Sequence, residues 1–410
     1  MDIPGLPARK GALKLLDAVL NRGETLDQAT NSALLGVKGN ADRALAKALA
    51  GEALRWLTDL DLLIDSATRL PLAHDAKARS VLRLMLAGWL RLETPPHAVI
   101  ATGLPLLVGG PRRLAHGVFG ALTRRNVTLP AAPTLPAEVA SRWGERAGAI
   151  AAGLGHLPPL DLTLRDAAET AAWAERLEGT SLMPGHVRLG RGTAVENLEG
   201  YDEGGWWVQD LAASIAARLL GAGDGRTVLD LCAAPGGKTL QLAASGWAVT
   251  ALDASAKRLE RVQQNLARTG LTAEIVEADA LEWQPPELFD AVLLDAPCTA
   301  TGTCRRHPDV LHRIGLRQIA EQVQVQAALL ERAARWVKPG GTLIYAVCSL
   351  ESEEGEVQAA TVTLTPDPIR AEELPAGIVP SADGYVRTDP GMLAEAGGVD
   401  GFFIARWRRD

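Results

Sequence analysis

Over residues 8–126 the apolar positions recur at helical spacing. Leu13, Leu16, Ala18, Val19 and Leu20 form the first stripe, and Asn21-Arg22-Gly23 breaks it. Ala44 to Leu63 and Ala78 to Leu92 repeat the pattern, Pro95-Pro96 interrupts it, and Ala98 to Val108 resumes it. Apolar residues three or four apart line one face of a helix. No strand-like alternation intervenes, so the spacing predicts a compact all-α bundle.

The pattern then changes twice. Residues 127–160 carry Pro130, Pro133, Pro136, Pro158 and Pro159 around a short helical stretch, Ala137 to Leu154, which reads as a connecting region. A strand-like Leu160 to Arg165, a helix over Ala167 to Leu177 and a strand-like Val187 to Leu189 predict a small α+β subdomain. From about 206, short apolar runs alternate with amphipathic stretches. The strands expected are Thr227–Leu231, Ala248–Asp253, Ala273–Glu277, Ala291–Asp295 and Thr342–Val347, with Gly401–Trp407 as a final edge strand. Helices are expected over Val208–Leu220, Lys238–Ala244, Ser255–Thr269, Ile319–Val337 and Glu353–Thr361. Strand–helix alternation of this kind is the mark of an α/β, Rossmann-like sheet. The expected division is 1–130, 131–205 and 206–410.

Charge separates the same regions. The 410 residues carry a net charge of −7, but residues 1–130 hold 17 Lys+Arg against 11 Asp+Glu, net +6. The remainder holds 25 against 38, net −13. A basic module on an acidic body suits RNA docking through one end, with scattered surface charge as the plainer reading. Four cysteines do not make a disulfide framework in a chain of this length, so a reducing cytoplasm is expected. Arg9, Lys10 and Lys14 interrupt any N-terminal apolar segment, and no apolar run is long enough to span a bilayer. No membrane partner and a monomer are expected.

The predicted strand ends carry the candidate chemistry. In a doubly wound sheet, ligands bind beyond the carboxyl ends of the strands. The run Thr227–Leu231 ends in Cys232-Ala233-Ala234-Pro235-Gly236-Gly237-Lys238. Small residues there let the backbone approach a ligand, and the helix that follows offers free N–H groups. Asp253, 23 residues after Asp230, stands where a carboxylate accepts from ribose hydroxyls, and Asp279 follows the next strand. The turn lacks G-x-G-x-x-G and the P-loop spacing, so S-adenosylmethionine (SAM), which has an adenosine and no pyrophosphate, fits better than a dinucleotide or a nucleoside triphosphate.

Two further strand ends carry thiols, Asp295-Ala296-Pro297-Cys298 and Val347-Cys348-Ser349. Methylating carbon 5 of a cytosine calls for a thiol, because that carbon is a poor nucleophile until a thiolate adds to carbon 6. A thiolate attacks well and also leaves well. Asp295 stands where it could bond the cytosine amino group and ring nitrogen as charge develops. Arg305, Arg306 and His307 follow in a loop that could meet phosphate or favour a thiolate. Cys232 and Cys304 read as small buried apolar residues. Cys298, Cys304 and His307 form C-x5-C-x2-H, which lacks the tight pairs of structural zinc sites, and no metal is expected. Residue chemistry alone leaves open which of Cys298 and Cys348 attacks.

These stretches, with Val208-Gln209-Asp210, Asp295-Ala-Pro-Cys298-Thr-Ala-Thr-Gly302, Arg305-Arg306-His307-Pro308-Asp309, Cys348-Ser349-Leu350 and Asp400-Gly401-Phe402-Phe403, resemble the bacterial rRNA cytosine-C5 methyltransferases of the RsmB (Sun/Fmu) type, within the NOL1/NOP2/Sun family. Pro95-Pro96-His97-Ala98-Val99-Ile100 and Val118-Phe119-Gly120-Ala121-Leu122-Thr123-Arg124-Arg125 resemble the NusB-like RNA-binding domain of that type. The resemblance implies a NusB-like bundle, a small linker subdomain and a SAM-dependent methyltransferase domain acting on small-subunit (16S) rRNA. It implies Cys348 as nucleophile and Cys298 as the group that assists release, probing an order the residues alone leave open. It assigns SAM contacts to Cys232 through Lys238, Asp253, Asp279 and Asp295, and lets Lys238 reach the target nucleotide. The same chemistry on tRNA, or a noncatalytic RNA-binding assembly factor with a relic SAM fold, are the alternatives. Two positions depart from the pattern: Val347 stands where Thr is usual, and Leu164-Arg165 continues as Asp166-Ala167 in place of a Leu-Arg-Val-Asn stretch.

Overall fold

The computed structural model describes residues 3–190 and 195–410. They cluster into two compact units, one running through His156 and taking in Cys304–Ile314, the other comprising 157–303 and 315–410.

The first unit is helical: α1 (Leu6–Arg22), α2 (Leu26–Ala33), α3 (Asn40–Arg55), α4 (Leu57–Ser66), α5 (Lys77–Leu90), α6 (Pro96–Gly103), α7 (Gly109–Arg124), α8 (Ala137–Trp143) and α9 (Ala147–Leu154). The sequence sets the boundaries. Gly23 ends α1 in the left-handed conformation, at φ 70°. A capping box between Thr25 and Gln28 starts α2. Pro96 opens α6, where its missing N–H would have had no partner. The helical pattern over Ala44–Leu63 resolves into two helices that divide at Trp56, and α2 lies between the first stripe and that pattern. Leu15, Leu16, Leu49, Leu54, Leu82 and Phe119 form a closed core.

Residues 304–314 belong to this unit, including the short helix α10 (Val310–Arg313). Arg55 Nη2 donates to the Arg305 carbonyl at 2.8 Å, and His312 Nε2 lies 2.7 Å from the Leu54 carbonyl. Arg305 is 2% exposed and His307 faces Asp27 at 3.7 Å. Arg305 is therefore a structural residue of the helical unit, and the expectation that it meets phosphate from an open loop does not hold.

The second unit holds two sheets. The strands β1 (Leu160–Leu164), β2 (His186–Leu189) and β3 (Trp206–Val208) form an antiparallel sheet in the order β2-β1-β3, with α11 (Thr170–Arg176) beside it. Leu162, Leu164, Val187, Trp173 and Trp206 make its core. Val208, expected at the start of a helix, ends β3 instead. The helix begins at Leu211, as α12 (Leu211–Arg218), with Asp210 as its cap.

The larger sheet contains β4 (Thr227–Leu231), β5 (Ala248–Asp253), β6 (Glu274–Glu277), β7 (Phe289–Asp295) and β8 (Val337–Val347), all parallel, with helices α13 (Gly237–Ala244), α14 (Ala256–Thr269), α15 (Leu316–Trp336) and α16 (Glu356–Ala359). It is completed by β9 (Thr365–Pro366), β10 (Val386–Thr388) and β11 (Phe402–Arg408), in the order β10-β11-β8-β7-β4-β5-β6 with β9 against β11. The strand expected at the edge is thus an inner, antiparallel one between β8 and β10. The helix expected over Glu353–Thr361 shrinks to Glu356–Ala359. Both sheet faces are covered. Leu229, Val292, Leu294, Leu343 and Tyr345 meet Leu329, Leu330 and Trp336 of α15 on one face. Val228, Leu293 and Ile344 meet Ile215 of α12 on the other. Burial on both faces is why these strands read as continuous apolar runs. The chain runs outward in opposite directions from β4 and β7, so the crevice opens beyond their carboxyl ends.

Candidate functional site

At the end of β4, Asp230 is fully buried and accepts from the Thr239 hydroxyl at 2.6 Å. Its other carboxylate oxygen has no hydrogen-bond partner among the described residues. Burial raises the Asp230 carboxyl to about 7, against the pull of Thr239, with Asp295 adding to the rise. The chain then turns sharply. Cys232 sits at φ 60° and Gly236, the N-cap of α13, at φ 104°. A Cβ at Gly236 would come within 3.2 Å of the Val262 side chain, and one at Gly237 within 3.3 Å of Gln209. At Gly236 the left-handed conformation calls for glycine, and at both positions a side chain would make its neighbour give by a few tenths of an ångström. The Gly236 N-cap offers no side chain to the first amides of α13, which leaves backbone donors at the helix N-terminus.

Asp253, at the end of β5, is 1% exposed. It accepts from Arg258 Nη2 at 2.7 Å, from the Ser255 amide at 2.9 Å and from the Ala234 amide at 3.3 Å, so it braces the turn. Asp279, after β6, is exposed and accepts from the Leu281 amide at 2.8 Å. Both stand at strand ends, where the sequence placed them.

Lys238 and Asp295 meet across β4 and β7. Lys238 Nζ lies 2.7 Å from Asp295 Oδ2 and 5.4 Å from the centre of the Phe402 ring. Burial disfavours the ammonium, but Asp295 outweighs it, and Lys238 is held above its ordinary range. A cavity of about 340 Å³ is lined by Ala233, Gly237, Lys238 and Asp295 from the turn and β7, and by Gln209 and Asp210 before α12. That is within the usual size of a small-ligand pocket. Gln209, from the Val208-Gln209-Asp210 stretch, is a structural residue of this wall. Its amide donates to Gln241 Oε1 at 2.7 Å and its oxygen accepts from Trp207 Nε1 at 2.8 Å, which fixes this wall.

β7 and β8 are adjacent, with Asp295 opposite Ala346. The loops that leave them bring Cys298 Sγ to 3.4 Å from Cys348 Sγ. Both thiols are free and half-buried. The bond to the Cys348 sulfur, then burial, hold the Cys298 thiol well above the usual thiol range, with Cys348 and Glu354 charges adding to the effect. Cys232 is pushed up to about 12, first by burial and then by Asp295, and stays a thiol. Cys304 is fully buried in the helical unit. Glu354, also fully buried, accepts from both thiol loops and was missed in the sequence.

The donor set fits SAM: helix N-terminal amides beside a small-residue turn, carboxylates at successive strand ends, and an orphaned oxygen on Asp230 beneath. Among the described residues no cluster of His, Cys, Asp and Glu could hold a metal, and no helix is long and apolar enough to cross a membrane.

Residues 217–408 match the model of the family described as 16S rRNA methyltransferase RsmB/F, and residues 6–106 match that of the NusB family. The ribosomal RNA small subunit methyltransferase B of Klebsiella pneumoniae is 34% identical over 97% of this chain and 97% of its own length. The protein of the same description from Xanthomonas campestris is 33% identical, over 98% of this chain and 97% of its own. The solved structure described as PH0851 superposes with a TM-score of 0.73 over 100% of both chains, at 22% identity, a likeness of fold.

Proposed function

The chain belongs to the ribosomal RNA small subunit methyltransferase B family, and on that premise we propose that it methylates carbon 5 of a cytosine in small-subunit rRNA through a covalent cysteine–cytosine intermediate. The observation that carries this reading is the pair of sulfurs 3.4 Å apart, on loops leaving adjacent strands, the first three residues beyond an aspartate paired to a buried lysine. SAM supplies an electrophilic methyl group when bound. The turn from Cys232 to Lys238, with Asp253, Asp279 and Asp295, is assigned to holding it.

The order of the two thiols is the one the family resemblance implies, and the other roles are assigned on the chemistry that order requires. Cys348 Sγ, as thiolate, adds to carbon 6 of the cytosine. Asp295 accepts from the cytosine amino group, and the Lys238 ammonium beside it offsets negative charge that builds on the ring. Preorganised charge of this kind needs no rearrangement as the reaction proceeds. Release needs one proton taken from carbon 5 and one given to the departing sulfur. Cys298, kept protonated by its neighbours, hands its proton to the Cys348 sulfur and takes the carbon 5 proton in exchange, so that no net charge is gained. The helical unit, whose residues through 130 carry the chain's basic excess, is assigned to RNA docking.

Incubation with labelled SAM and rRNA from cells lacking the activity tests the reading. Label is expected in cytosine of small-subunit rRNA, and at one position when mapped by bisulfite sequencing. Absence of label from cytosine would sink it.

A further inference from the structure

The acidic run Glu351-Ser352-Glu353-Glu354 follows the Cys348 loop, and one member behaves unlike a solvated charge. Glu354 is fully buried, and among the described residues no Lys or Arg pairs with it. Its Oε1 accepts from the Thr299 amide at 2.9 Å and from Gln326 Nε2 at 2.9 Å. Its Oε2 accepts from the hydroxyls of Thr299 and Ser349. Four donors fill the acceptor sites of a carboxylate. Thr299 is the residue after Cys298 and Ser349 the residue after Cys348, so one carboxylate bonds the neighbour of each thiol.

The surroundings fix the carboxylate in turn. Gln326 Nε2 also donates to the Pro297 carbonyl at 2.9 Å, and the Tyr345 hydroxyl donates to the Glu354 carbonyl at 2.6 Å. The loops are knitted further by the Gly302 amide on the Cys348 carbonyl at 3.0 Å and by the Leu350 amide on Thr301 Oγ1 at 3.0 Å. A buried carboxylate without a cation is an expensive way to staple two loops, because an amide or an apolar side chain of similar size avoids the desolvation of a charge. What the carboxylate does better is accept from every side at once.

We propose that Glu354 is a positioning residue whose carboxylate sets the distance between the Cys298 and Cys348 sulfurs. The proposal deepens the two-thiol reading above and rests on it for its catalytic consequence, but the geometry it asserts is measurable without RNA or SAM. A Gln at 354 keeps the size and one acceptor oxygen, and turns the other end into a donor facing two hydroxyls. The hydroxyls lose their acceptor and have to turn to accept from the amide, at a Ser349 oxygen that already accepts from the Glu351 amide at 3.1 Å, so the two hydroxyl contacts that tie the loops together are redirected.

The test uses the full chain, free of ligand, and reads the sulfur gap by the rate at which diamide converts the two thiols to a Cys298–Cys348 disulfide. Diamide takes up the two protons and two electrons released as the S–S bond forms and becomes the hydrazine. Peptide mapping identifies the bond. Glu354→Gln is expected to slow that rate about tenfold or more, since a displacement near 1 Å is enough to disrupt a reacting pair. With rRNA and SAM, the same variant should turn over at least about tenfold more slowly, keep KM for SAM within about twofold, and accumulate covalent RNA–protein complex, because release depends on Cys298. A merely structural glutamate would shift melting temperature and leave the disulfide rate of the folded protein at the wild-type value, and that result overturns the proposal. If wild-type protein methylates no cytosine but Glu354→Gln still slows the disulfide, the functional reading falls and the positioning role stands. Should Glu354→Gln fail to fold, the pair Thr299→Val and Ser349→Ala removes the two hydroxyl donors and leaves the carboxylate and its two amide donors in place. An unchanged disulfide rate in that double variant also overturns the proposal.

Discussion

The turn after β4 and the crevice between the β7 and β8 loops lie on the same rim and are built on opposite principles. The turn is a backbone device: Gly236 and Gly237 supply conformation and clearance, and α13 supplies its amides. The crevice is a side-chain device: Lys238 pairs with Asp295, the Cys298 and Cys348 sulfurs meet, and Glu354 bonds the residue that follows each thiol. Binding a ligand by backbone tolerates change in side chains nearby. A site of mutually dependent side chains does not, and substitutions there are expected to be strongly non-additive.

Substitutions at both places put that contrast at risk. The largest effect should follow Cys348→Ala, with methyl transfer to rRNA reduced by about 10⁴-fold or more while SAM still binds in equilibrium dialysis. Asp295→Asn comes next, a fall of about 10²–10³ in kcat, as expected for losing one preorganised charge, measured by initial rates at saturating RNA. Loss of SAM binding from Cys348→Ala would merge the two regions into one and break the comparison. Gly302→Ala tests how tightly the thiol loops are closed. A Cβ there would lie 1.9 Å from the Gly401 carbonyl oxygen, so urea unfolding should show a loss of about 1–3 kcal/mol.

The smallest effect concerns Asp230 beneath the turn. Its folded carboxyl lies near 7, above the ordinary 3.8, so the folded state holds a proton that the unfolded chain has lost. Stability contributed through Asp230 therefore falls as pH rises from about 4 to about 7. Asp230→Asn removes that slope. The variant should gain on wild type as pH rises from 4 to 8, read from urea midpoints at each pH. A parallel pH dependence in the two proteins would contradict the assignment.

What the sequence disclosed follows the same divide. The β4, β5 and β7 strands, the glycine turn and the aspartates at strand ends were legible because backbone requirements leave composition signals: small residues, apolar runs, caps. Both thiols were legible by their positions at strand ends. Glu354 was not, since Glu351-Ser352-Glu353-Glu354 looks like a solvated stretch and only tertiary packing buries the first and last while exposing the middle two. β3 was missed because Trp206-Trp207-Val208 runs without a break into the residues before α12, and its strand character comes from pairing with β1. β10, three residues long, exists through its pairing with β11. Residues 304–314 follow the Cys298 loop directly in sequence yet belong to the helical unit, through bonds to Leu54 and Arg55 some 250 residues away that no local pattern encodes.

The division of labour between the two thiols is tested most directly on a denaturing gel. Wild-type protein, Cys348→Ala and Cys298→Ala are each incubated with SAM and unmethylated rRNA, then resolved without nuclease treatment. Cys298→Ala should accumulate a covalent RNA–protein band, because attack proceeds and release fails, while Cys348→Ala shows none. A band with Cys348→Ala and none with Cys298→Ala would contradict the account.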